Sequence, residues 1–402
     1  MTRVLHIITG LGYGGAERQL LLLVRRLPMP CEVATLTHAG ALGEAIRREG
    51  IPIHEIGMRS NRDLAALPRL VRLIRQGRYE VVHTHLYRAC VFGRLAARLA
   101  GTPRVIATEH SLGDGQIEGR RTTWGVRALY RMTERLGTAT VAVSPAVASR
   151  LRRWGVPAAR IVVISNGIDA AAFAFDAARR AETRRRLGIG SREWVVGAVG
   201  RLIPTKRFDL LIEAFARLTG SNSDTAAAAA DGTGHRSPRR DTMRLLIAGD
   251  GSSRKALERQ VRELGITDRV IFVGESADIA GVLSAMDVFA APSTQETFGL
   301  GVLEAMAAGL PVLYTTCPAL EDQPLGRLPD VRRLPTDAEA WSAELRRLAG
   351  RPRPRPPVPP VVSRYDICEQ ADRLARLYMD VPAANPGRNA HDPHVGSNMK
   401  GW

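Results

Sequence analysis

Two hydrophobic periodicities alternate along this 402-residue chain. Short apolar runs at 4–9, 32–36, 53–56, 81–83, 104–108, 139–143 and 161–165 read as buried strands. Between them, 16–27, 41–49, 65–76, 89–100, 124–136 and 145–154 place apolar residues at helical spacing. Strand, helix, strand in that order predicts a doubly wound parallel sheet whose ligands lie at the carboxyl ends of the strands. Periodicity fades through 176–192 and then restarts, with strands at 194–199, 245–248, 270–273, 288–290 and 311–315, and helices reaching 218 and covering 253–264 and 279–286. The expectation is two α/β domains, 1–175 and 190–350, joined by an irregular crossing. One core rarely supports a chain this long. Amphipathic helices follow at 338–348 and 365–379. The low-complexity stretch 220–241 reads as a disordered insertion and 382–402 as a flexible tail, so His235, His391 and His394 are not expected to be ligands.

Composition narrows the class. No run approaches the ~18 apolar residues of a membrane span, and the N-terminal apolar run is too short for a signal peptide. Cys31, Cys90, Cys317 and Cys368 are far apart with no C-x-x-C spacing, which reads as reduced thiols. A cytoplasmic protein is expected. Residues 1–180 hold 27 Arg, no Lys and 13 acidic residues, so +14 of the net +17 lies in the first half. Such a field attracts anions: a phosphorylated lipid carrier, headgroups on the inner face of the cell membrane, or nucleic acid, although no nucleic-acid partner is expected. Segment 116–136 mixes Arg120, Arg121, Arg127, Arg131 and Arg135 with Trp124, Leu129 and Tyr130, a pattern shared by membrane-surface helices and by ordinary helices with a solvated basic face.

The candidate chemistry sits at strand ends. Gly10, Gly12, Gly14 and Gly15 follow the first strand and satisfy G-x-G-x-x-G, but the second strand ends without the acid of a nicotinamide site, which disfavours a dehydrogenase. In the second domain, Gly200-Arg201 and Lys206 lie between strand and helix, where two cations can converge on one phosphate. Gly249-Asp250-Gly251 follows another strand. The stretch 291–309, APSTQETFGLGVLEAMAAG, places Glu296 ahead of a helix N-terminus and Glu304 inside the helix, with the amides of Phe298, Gly299 and Leu300 at its mouth. His83 and His85 share one strand face without converging and read as polar strand-end residues; His110 is the better functional candidate. No metal is expected.

Together the Gly14-Gly15 loop, His110, Asn166-Gly-Ile-Asp169, Gly200-Arg201 with Lys206, Gly249-Asp250-Gly251 and the Glu296/Glu304 motif resemble the family 4 retaining glycosyltransferases over roughly residues 1–325. The resemblance implies the GT-B fold: two Rossmann-like domains facing across a cleft, with helix 361–381 crossing back to the first. It places Arg201 and Lys206 on the diphosphate of a UDP- or GDP-sugar, Glu304 on the ribose, and Glu296 with the amides of Phe298, Gly299 and Leu300 on the sugar. The base falls near Gly249–Gly251, Phe272 and Gly274, Gly15 approaches the diphosphate, and His110 stands beside the sugar. It implies transfer to a glycan or lipid-linked acceptor in cell-envelope polysaccharide or glycolipid synthesis, with retention. The chain has no Asp-x-Asp, so the expected reaction uses cations instead of a metal and needs no cofactor. A sugar-nucleotide epimerase and a non-enzymatic nucleotide-binding protein are the rival readings. After 311–315 the chain departs from the family pattern into an Arg/Pro-rich segment, and a shortened second domain is expected.

Overall fold

A computed structural model describes residues 2–60, 63–118, 120–220, 242–323, 328, 330–349, 355 and 357–382. The insertion and the tail read from the sequence lie almost wholly outside these residues.

Seven parallel strands form the first sheet: β1 (Val4–Ile8), β2 (Cys31–Thr35), β3 (Ile53–Glu55), β4 (Val81–His85), β5 (Arg104–Glu109), β6 (Ala139–Ala142) and β7 (Ile161–Val163), in the order β3-β2-β1-β4-β5-β6-β7. Strands β1 and β4 are buried along their whole length, which is why they read as continuous rather than alternating runs. Their register pairs His6 with His83. Helix α1 (Gly15–Arg26) starts directly from the glycine loop after β1.

The second sheet has six parallel strands, β8 (Trp194–Val199), β9 (Met243–Ala248), β10 (Val270–Gly274), β11 (Val288–Ala291), β12 (Val312–Tyr314) and β13 (Val331–Arg333), ordered β10-β9-β8-β11-β12-β13. Two expectations are corrected here. The sheet does not end at 311–315: β13 adds a further strand beside β12, so its edge is extended beyond the expected end. Nor is 176–192 an irregular crossing, because Ala177–Arg186 is a helix capped by the Asp176 carboxylate. That helix is too polar to show a hydrophobic stripe. It is fastened instead by buried Arg184, which donates to Ala285 O at 2.9 Å and to Asp287 Oδ2 at 2.8 Å.

After the second domain the chain returns to the first. Helix α2 (Ile367–Asp380), capped by Asp366, packs Ala371, Leu374 and Tyr378 against Val4, Val81, Ile106 and Val141. Arg104 Nε donates to Val381 O at 2.9 Å and closes the helix end onto the sheet.

Candidate functional site

The carboxyl ends of both sheets open on one cleft of about 630 Å³ between the domains. Its second-domain wall is made of backbone and charge. Gly249 has φ +130 and lies where a Cβ would come within 2.0 Å of Gly200 O, so only glycine lets these two strand-end loops meet. Lys206 Nζ lies 2.5 Å from Glu296 Oε1, both side chains largely buried, while Arg201 stands exposed at the rim. The helix Leu300–Ala307 starts from Gly299 at φ +103, where a side chain would strike Cys317 Sγ, and the Phe298 ring is anchored edge-on against Tyr365. Glu304, one turn in, has its carboxyl pKa raised by burial, with Arg18 of α1 opposing the rise from across the cleft.

The first-domain wall comes close. A Cβ on Gly15 would sit 3.6 Å from the Leu300 side chain, and Arg18 Nη2 donates to Ser276 O at 2.9 Å across the gap. Loops from the two domains interlock deeper in. Thr297 Oγ1 donates to His110 O at 2.7 Å, Ser144 Oγ to Thr297 O at 2.6 Å, and Arg150 Nη1 to Glu296 O at 3.2 Å. His110 and Glu296 are therefore held on facing loops.

Of the residues singled out from the sequence, the cleft lining includes Gly14, Gly15, His110, Arg201, Lys206, Gly249, Asp250, Glu296, Phe298, Gly299, Leu300 and Glu304. Three others stand outside that lining: Gly251, which packs on the Leu202 backbone, Phe272, with the Arg254 guanidinium 4.7 Å over its ring, and Gly274, whose carbonyl accepts from Gly249 N–H. The lining also includes residues that the sequence reading did not single out: Glu17, Arg18, Arg88 and Glu118. Glu17 and Arg18 had one available signal, two charges in the first turn of a helix that follows a glycine loop. The Glu17 carboxyl is raised, chiefly by burial.

The histidines differ most from expectation. His83 and His85 are not separate strand-end residues: their rings lie 4.2 Å apart, and His6, which the sequence reading passed over, joins them from β1. All three are fully buried. His6 Nδ1 is 3.0 Å from His85 Nε2, and His85 Nδ1 is 3.1 Å from His110 Nε2. His83 uses both nitrogens, on Tyr378 OH at 2.6 Å and Thr108 Oγ1 at 2.7 Å. Burial pushes His6 down to about 3 and His110 to about 4, and His83 and His85 well below the usual range, so the cluster is neutral at pH 7. The nitrogens of His6, His83 and His85 fall within 4.8 Å of one another. Because His83 and His85 already spend both nitrogens on hydrogen bonds, a metal ion there would have to replace those bonds.

This geometry has a counterpart among known proteins. Residues 13–172 match the Glycosyltransferase Family 4 model and residues 179–323 match the Glycosyl transferases group 1 model, one for each domain. The chain belongs to the family 4 glycosyltransferases. Among its relatives, the D-inositol 3-phosphate glycosyltransferase of Salinispora tropica is 31% identical, over 68% of this chain and 57% of that protein. The UDP-Gal:alpha-D-GlcNAc-diphosphoundecaprenol alpha-1,3-galactosyltransferase of Escherichia coli is 27% identical, over 63% of this chain and 62% of that protein. The family 4 chain thus spans about three fifths of the length of these relatives. Its GT-B fold is shared with Anabaena HepE, crystallised with UDP and glucose, at a TM-score of 0.74 and 20% identity over 94% of this chain and 100% of that one. The lipopolysaccharide glycosyltransferase WaaG superposes at a TM-score of 0.64 and 17% identity, over 94% of this chain and 95% of that one.

Proposed function

We propose that this protein transfers a sugar, with retention, from a UDP- or GDP-sugar to a glycan or lipid-linked acceptor, without a metal. One observation carries the reading: Arg201, Lys206 and the N-terminus of Leu300–Ala307 face Gly14 and Gly15 across a cleft that also holds Glu296 and Glu304. Breaking an anomeric bond leaves oxocarbenium character on the sugar and builds charge on the departing diphosphate. Two cations and oriented amides stabilise that charge in place, as a bound metal does elsewhere. Lys206 is paired with Glu296. A diphosphate arriving at Lys206 competes for it and frees the Glu296 carboxylate to take sugar hydroxyls. Glu304 stands one turn deeper for the ribose, and His110 beside the sugar.

The relatives support the acceptor class: one is named for an inositol phosphate acceptor and another for a diphosphoundecaprenol-linked sugar. A docking surface on the same domain agrees with it. On helix Trp124–Glu134, Tyr130 is buried, but Trp124 is 86% and Met132 64% exposed, flanked by exposed Arg127, Arg131 and Arg135. Apolar side chains ringed by arginines fit an anionic membrane surface, and a cytoplasmic enzyme docking there would reach a lipid-linked acceptor. No helix among the described residues is long and apolar enough to cross a membrane.

The test is a thermal-shift panel of UDP-, GDP-, ADP- and CMP-sugars in EDTA, on wild type and Glu304→Ala. A donor at ~100 Kd should add about 2.7 kcal/mol of stability to wild type only. Absence of a shift with every donor would sink the reading.

A further inference from the structure

We infer that His6 and His85 are positioning residues that lock His110 in one tautomer, with its N–H at Nδ1 and a bare lone pair at Nε2. The inference rests on the reading that His110 borders the transferred sugar.

The argument is a count of protons. His6, His85 and His110 form a row joined by two ring-to-ring contacts, His6 Nδ1 to His85 Nε2 at 3.0 Å and His85 Nδ1 to His110 Nε2 at 3.1 Å. Three neutral imidazoles carry three protons. Each contact holds one, so the third must sit on an outer nitrogen, His6 Nε2 or His110 Nδ1. Both outer atoms are buried without a hydrogen-bond partner, but their settings differ. His6 has no exposure and does not line the cleft, so an N–H on its Nε2 would have no acceptor. His110 does line the cleft, with the Asn166 side chain beside it favouring a proton. An orphaned buried N–H disfavours its arrangement about five- to a hundredfold, whereas an orphaned lone pair is tolerated better. The row therefore runs one way: His6 Nδ1–H donates to His85, His85 Nδ1–H donates to His110, and His110 keeps its own proton at Nδ1, where the side chain of Asn166, another residue of the cleft lining, favours it.

His85 makes both ring contacts from the last position of β4. The next residue, Leu86, adopts φ 71, ψ 153, a conformation that side chains other than glycine rarely take and that survives only where its surroundings enforce it. Because His6 Nε2 has no partner, the row has no exit and does not conduct protons. It fixes polarity. His110 then offers its Nδ1 proton to the Asn166 side chain of the cleft lining, and Nδ1 cannot become an acceptor unless the whole row reverses.

The decisive measurement is nitrogen-15 NMR of histidine-labelled full-length protein at neutral pH, assigned with single His variants. All three histidines should show Nδ1 protonated and Nε2 bare, the tautomer that is the minor one for free imidazole side chains. Nε2–H on His110 would overturn the inference. In transfer assays, His85→Gln, whose amide can still donate to His110 and accept from His6, should stay near wild type. His85→Phe should lower kcat about five- to tenfold, the size of one lost hydrogen bond, with the donor KM little changed. Equal activity of the Gln and Phe variants would also overturn it; if the Phe variant does not fold, the wild-type spectrum still decides. Full activity of His110→Gln would instead remove the reading of His110 beside the sugar and leave the tautomer result standing on its own.

Discussion

The two walls of the cleft are built by opposite means. The second-domain wall uses loop glycines, a helix N-terminus and the Lys206–Glu296 pair, groups that line the cleft and can exchange partners when an anion arrives. The first-domain wall behind His110 is a fully buried row of neutral rings, linked through His83 to Tyr378 on the returning helix α2. One wall supplies charge and the other supplies orientation. Charge tolerates rearrangement because it acts at a distance; a tautomer does not, because it depends on every member of the hydrogen-bonded row.

Removing charge should have the largest effect. Lys206→Ala deletes one of the two cations proposed to meet the departing diphosphate, and kcat should fall about 10²- to 10³-fold, or about 2.7–4 kcal/mol. The same variant should unfold near the wild-type temperature, since Glu296 keeps access to the cleft. A kcat within about threefold of wild type would mean that Arg201 and the amides suffice, and would weaken the division between the walls.

The histidine wall should announce itself in acid. His6 and His110 are depressed in the folded state to about 3 and about 4 from an ordinary value near 6.5, and His83 and His85 also lie well below it. In the unfolded chain these rings bind protons that the native state refuses. Their contribution is fully present above pH 6.5 and is lost as pH falls from there toward 4 and 3. Each such ring can contribute up to about 1.4 kcal/mol of lost stability per pH unit in that window. Urea midpoints measured between pH 7 and 4.5 should fall more gently for His6→Phe than for wild type. Parallel slopes would show that the row is already open to water.

Much of this organisation was legible in the sequence. Strand Trp194–Val199 lies where its apolar run predicted it, and Lys206, Glu296 and Glu304 share the cleft as their spacing from strand and helix ends implied. What escaped was set by register or by single anchors. His6 and His83 are neighbours only because β1 lies beside β4, a choice made by the sheet and not by either strand; their equal offset from Val4 and Val81 was the one clue. The helix Ala177–Arg186 is held by Arg184 and capped by Asp176, with no apolar stripe to detect. Strand β13 has one buried residue in three.

A smaller effect tests whether the returning helix is part of the orienting wall. Tyr378→Phe removes the partner of His83 Nδ1 and leaves a buried ring nitrogen unpaired, which should destabilise the fold by about 1–2 kcal/mol. Because His83 touches the row through ring packing and not through the His6–His85–His110 contacts, donor KM and the His110 tautomer should hold. Loss of the tautomer in Tyr378→Phe would extend the positioning network to α2.

The smallest effect on the fold should come from the surface farthest from both walls in character. Trp124 is 86% exposed at the start of its helix, and Trp124→Ser should change stability by less than about 0.5 kcal/mol. Its hydroxyl also suits the first turn of a helix. On vesicles containing anionic lipid at low salt the expectation reverses: wild type should sediment, and the variant should sediment less because the apolar anchor is gone while the arginines remain. Raising the salt should then release the variant before wild type, since only electrostatics is left to screen. If wild type shows no preference for anionic over neutral vesicles, the exposed Trp124 and Met132 are not a membrane anchor, and the acceptor must reach the cleft from solution.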